Sequence, residues 1–102
     1  MKTYLTIEQS AELIKIGVSE DKVSSYEIVN YAVKPVFTLI DMFSIIPREI
    51  ITEYPRRLHN LEIIWGDVLK QWHIRYVSKN GYEVAESELI DALYKITIKC
   101  AQ

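Results

Sequence analysis

Two runs in the second half of the chain alternate with a period of two, and this alternation constrains the fold more than any other feature. Leu61, Ile63 and Trp65 interleave with Asn60, Glu62 and Ile64, and Trp72, Ile74 and Tyr76 interleave with His73, Arg75 and Val77. Side chains of a strand point alternately to opposite faces, so each run is a strand with one face turned to a core. Residues 66–71 join them. The register that sets Trp65 opposite Trp72 also sets Ile63 opposite Ile74 and Leu61 opposite Tyr76. On the other face it brings Glu62 against Arg75, an opposite-charge cross-strand pair. Asn80-Gly81 is the dipeptide favoured in a type I′ hairpin turn, so a short third strand is expected from Tyr82 to Val84.

Helical signals surround this meander. In "LTIEQSAELIKIGV" Thr6 is placed to cap a helix and Gln9 to complete a capping box. Gly17 suits a left-handed stop, with Val18 folding back toward Leu13. In "KPVFTLIDMFSIIPREI" Thr38 and Asp41 form the acidic version of the same box, and Phe37 and Met42 stand at the spacing of a hydrophobic staple. Leu39, Met42, Phe43 and Ile46 are expected to share the inward face of this two-turn helix, which Pro47 ends. Ile40 and Ile45 lie off that face. Leu89, Leu93, Ile96 and Cys100 form one stripe of a final helix over "ESELIDALYKITIKC", with Ser87 or a neighbour capping its start. Residues 19–34 carry weaker signals: a helical turn after Ser19, then "YEIVNYAV" as a strand or an extended approach to Pro35. The expected fold is α+β, a small antiparallel three-stranded meander packed on one face by about three helices, in the order α-α-β-β-β-α, forming a single domain over residues 1–102.

Composition bounds the function. Of 102 residues, 49% are apolar and 25% charged, the balance of a globular domain. The formal net charge of -2 argues against a nucleic-acid binder. No apolar run approaches the roughly 20 residues that cross a bilayer, and the opening "MKTYLTIEQS" has no apolar core of a signal peptide. The lone Cys100 offers no internal disulfide. A cytoplasmic protein is expected.

Chemistry-bearing constellations are sparse. His59 and His73 fall on opposite strand parities, so they share no metal, and no metal or cofactor is expected. Cys100 on an apolar stripe behaves as a small hydrophobe. The three glycines are isolated at 17, 66 and 81, so no phosphate loop is present. These readings point away from an enzyme. The surface left for binding is the outer sheet face, where Ile64, His73, Arg75 and Val77 mix apolar and charged groups in the manner of a protein interface. The expected partner is another protein or a second copy of the chain. The alternative is a nucleic-acid-associated regulator using a basic sheet-edge patch of Arg56, Arg57, Lys70, Arg75 and Lys79.

"ELIKIGV", "PVFTLIDMFSIIPREI", "WHIRY" and "ESELIDALYKITIKC" occur in an order that resembles a family of short proteins of Bacteroides-type gut bacteria and of their phages and mobile elements. The resemblance covers residues 13–100, with Lys99 where the family has tryptophan. Its motifs are caps, a staple, a strand face and a core helix, and no catalytic residue comes with it. It implies an accessory role in a phage or mobile-element setting.

Overall fold

The structure, a computed structural model, describes residues 1–101. Helix α1 spans Ile7–Lys15, and a 3₁₀ turn spans Glu20–Lys22. Strands β1 (Ser25–Val29) and β2 (Ala32–Val36) follow, then helix α2 (Leu39–Ile45). Strands β3 (Glu49–Glu53), β4 (Arg56–Gly66), β5 (Gln71–Tyr76) and β6 (Glu83–Glu86) precede the last helix, α3 (Leu89–Ala101). Among the described residues the fold is α+β with three α-helices, but six strands form two antiparallel sheets: a two-stranded β1–β2 ribbon and a four-stranded sheet in the order β3-β4-β5-β6, curled into a half-barrel. The expected three-stranded meander is therefore incorrect. The meander is the β4–β6 part of the larger sheet, which β3 extends, and the β1–β2 ribbon is a separate sheet.

The helix ends obey their local signals. Thr6 and Gln9 close one capping box, Thr38 and Asp41 the other. Gly17, at φ 111°, donates its N–H to Ile14, and Val18 donates to Leu13, the paired bonds of a Schellman stop. Phe37 and Met42 are both fully buried, as a staple requires.

One carboxylate does more than cap. Asp41 Oδ2 accepts from Thr38 N–H at 2.9 Å and from the N–H and the hydroxyl of Ser24, both at 3.0 Å. It thereby ties the start of β1 to the first turn of α2. Burial works to raise its pKa, but these hydrogen bonds together outweigh burial and hold the carboxyl below its ordinary value.

Helix α3 is the centre of the molecule. Leu89, Ile90, Ala92, Leu93, Ile96 and Thr97 are all buried, a stripe wider than the expected one. They meet Ile74 and Tyr76 of β5, Met42 and Ile46 around α2, and Leu5, Leu13 and Phe37. The Tyr76 hydroxyl donates to Pro47 O at 2.6 Å, pinning the sheet to the end of α2. Two expectations for α2 fail. Phe43 is 45% exposed, whereas Ile45 packs on the core. With Met42 pointing straight inward, Leu39, Ile45 and Ile46 flank it at three- and four-residue spacing, and Phe43 is turned about 100° away. Ile40, 81% exposed, and Phe43 form an outward pair.

The sheet register is the expected one: Leu61, Ile63 and Trp65 face Tyr76, Ile74 and Trp72. The turn after β5 differs from the type I′ expectation. Ser78 and Gly81 have positive φ but Asn80 does not, and the N–H groups of Lys79 and Tyr82 close two successive turns onto Tyr76 and Lys79. Positive φ at the third residue only is the type II pattern. The extra turn delays β6 to Glu83.

Candidate interaction surface on the sheet

Three strands bring the outer face together in rows. Ile64, His73 and Ala85 are cross-strand neighbours across β4, β5 and β6, and Glu62, Arg75 and Glu83 form the adjacent row. Between them lies an open groove of about 510 Å³, lined by Ile64, His73, Ile74, Arg75, Glu83, Val84 and Ala85. Three of the four residues expected at a partner surface, Ile64, His73 and Arg75, line this one groove. Val77 does not. It lies just past β5, where its N–H donates to Asn60 O, and it lines a second, more polar groove of about 430 Å³ that shares Arg75 and Glu83 with the first.

Each side chain of the groove has a local reason for its place. Ile64 is 48% exposed because its parity is opposite to that of Ile63 and Trp65. Arg75 is held by Glu62, with Nε at 2.9 Å and Nη2 at 2.8 Å from the same carboxylate oxygen, while Glu83 stands on its other side. An arginine between two carboxylates leaves this row acidic by one charge. Gly66 makes room for His73: a Cβ there would lie 3.0 Å from His73 Nε2. The site is thus an apolar strip beside a charged row in which Arg75 is held by Glu62.

The other histidine lies inside the fold. His59 is 3% exposed, and both ring nitrogens are engaged. Nδ1 lies 2.9 Å from Val77 O, and Nε2 lies 3.1 Å from Thr52 Oγ1. A carbonyl only accepts, so Nδ1 carries a proton and the Thr52 hydroxyl serves Nε2. His59 is a bolt between β3, β4 and the turn after β5.

The five basic residues of the alternative site are not brought together. Arg56 opens the 11-residue β4 and Lys70 follows its far end, roughly 35 Å away at a strand's rise. Lys70 pairs with Asp67 at 2.7 Å, Arg75 pairs with Glu62, and Lys79 sits 4.2 Å from the centre of the Tyr82 ring. Among the described residues no three His, Cys, Asp or Glu side chains converge to hold a metal, and no helix is long and apolar enough to cross a membrane. Burial pushes the Cys100 thiol up, against the opposing effects of Tyr76 and Lys79.

Two apolar features escaped the sequence reading. Trp65, expected under the helices with Trp72, is 42% exposed. Its ring tilts against Trp72 at 5.2 Å, but Trp72 is the one packed on the core. Exposed Val68 and Leu69 lie beside Trp65 in the turn. The second is the β1–β2 ribbon, on which Tyr26, Ile28, Tyr31 and Val33 all face solvent. Its alternation in "YEIV" was the available signal, with Asn30, a residue tolerant of positive φ, at the turn. No known family, characterised protein or solved structure matches the chain.

Proposed function

We propose that this chain is a small, non-enzymatic protein-binding module that works in assembly, and that the groove of Ile64, His73 and Arg75 is where its protein partner docks. The observation that supports this reading most is the arrangement of that groove. A half-exposed isoleucine and an imidazole adjoin an arginine already paired with Glu62, so a partner meets an apolar strip beside an arginine that needs no ordering. The accessory phage or mobile-element role and the cytoplasmic setting belong to the same proposal and rest on the resemblance and on the composition. A nucleic-acid regulator finds less support, since its basic residues are spread along β4 and beyond, three of them engaged by Asp67, Glu62 and Tyr82.

The test is Ile64→Lys. An exposed position tolerates it within about 0.5 kcal/mol, so the melting temperature is expected to hold. A lysine in the centre of a docked surface is expected to weaken association by roughly 2 kcal/mol or more, about thirtyfold. A large loss of stability, or unchanged association with the partner that wild type recovers, would remove the groove from the reading.

A further inference from the structure

The geometry points to a second interface: the free edge of β1 pairs with β1 of a second copy of the chain, antiparallel and centred on Glu27. The ribbon joins its strands through Asn30 and Tyr31, both at positive φ, and Val29 faces Ala32 beside the turn. The pair flanking such a two-residue turn is hydrogen-bonded, and the ladder alternates from there. Glu27 and Lys34 therefore bond to each other, whereas the backbone groups of Tyr26, Ile28, Val33 and Pro35 point outward. Pro35 has no N–H, so the outer edge of β2 is blunted. The outer edge of β1 keeps every donor and acceptor. On one face of the ribbon Tyr26 and Pro35, then Ile28 and Val33, form two apolar rows, with Ile28 78% and Val33 64% exposed. The ribbon is anchored at its base by buried Val36 and by the Ser24–Asp41 bonds, while its turn end stands clear of the core.

The self-complementarity of this edge selects both the occupant and the register. A two-fold axis presents the same edge in the opposite sense. Centring on Tyr26 would need the N–H of Ser24, which Asp41 already holds. Centring on Ile28 would set Tyr26 against Asn30, a turn residue. Centring on Glu27 sets Tyr26 opposite Ile28 of the second copy and Ile28 opposite its Tyr26, so both outward pairs exchange bonds in both directions. Each is an aromatic–branched pair, a favourable cross-strand combination. The apolar rows then run on across the join. On the other face the two Glu27 carboxylates meet and repel, a cost offset by the Lys34 ammonium that stands opposite each within its own ribbon. The blunted β2 edge stops further addition, so the pairing closes as a dimer rather than growing into a fibre.

The register makes the test sharp. Facing residues of a non-hydrogen-bonded antiparallel pair lie about 4.5 Å apart at Cα, within disulfide range. In a Cys100→Ser background, Glu27→Cys is expected to cross-link two full chains under mild oxidation. Val29→Cys lies on the same face but faces Ser25 of the second copy, and is expected not to. The wild-type mass by light scattering at high concentration is expected to be twice 11.9 kDa. Ile28→Pro removes an outward N–H and leaves the ribbon's own ladder whole. It is expected to return the mass to a single chain with the far-ultraviolet spectrum unchanged. Tyr26→Lys, which keeps every backbone bond, is a second route to the same loss. A single-chain mass for wild type, equal cross-linking at both cysteines, or a doubled mass that survives both Ile28→Pro and Tyr26→Lys would overturn the pairing.

Discussion

Truncating Asp41 to alanine removes three hydrogen bonds that converge on one carboxylate oxygen, from Thr38 and from both donors of Ser24. The Thr38 cap itself survives, and losing the reciprocal bond of the box, from the Thr38 N–H, costs about 1 kcal/mol. Bonds to a charged group contribute roughly 1.5–3 kcal/mol each when the donor is left buried. Ser24 is exposed and water replaces its share, so the total is roughly 2–3 kcal/mol, or about 10–20 °C in melting temperature for a domain of this length. The damage is expected to be directional. Asp41 ties β1 to α2, so amide exchange should accelerate across residues 25–36 before it does in α3. In a double-mutant cycle with Ser24→Ala the two losses should overlap by about 0.5–1 kcal/mol. The carboxyl is held below its ordinary value, so its contribution is complete above the unfolded aspartate pKa of about 3.9 and is lost as pH falls through the lower folded value. Asp41→Asn should flatten that acid limb. A variant within 0.5 kcal/mol of wild type, or strictly additive losses with Ser24→Ala, would refute the role given to this residue.

Two further substitutions probe separate parts of the account. Gly17→Ala meets no neighbouring atom, so its cost is backbone alone; at φ 111° it should destabilise by about 1–2 kcal/mol, read as a lower denaturant midpoint with an unchanged slope. Gly66→Ala should crowd His73, shifting its imidazole resonances and weakening partner binding while Arg75 stays paired with Glu62.

Parts of the fold that depend on near neighbours could be read from the chain alone. Both capping boxes, the Schellman stop at Gly17 and the staple of Phe37 and Met42 each need only residues a few positions apart. The β4–β5 register was legible because several independent pairs agreed on it. The two missing hairpins have the opposite character. Ile28 and Val33 of the ribbon face solvent, so the short alternation in "YEIV" has no buried face to tell a strand from an extended approach to Pro35. Strand β3 is short, and it turns into β4 through Tyr54 and a cis Pro55, a type VI arrangement without an Asn-Gly or Asp-Gly signature. Of the candidate surface, parity alone found Ile64, His73 and Arg75. It could not find that Val77 slips past the strand end, that His59 is buried between Thr52 and Val77, or that Ser24 reaches Asp41. Those facts depend on how distant segments meet.

Site-specific photo-cross-linking in cells tests the central claim most directly. A photoreactive amino acid is placed at Ile64, and for comparison at exposed Glu8 on α1. The account predicts one discrete protein adduct from Ile64 that disappears when Arg75→Glu is added, and none from Glu8. The same adducts from both positions, or none from Ile64 while the chain remains folded, would contradict it.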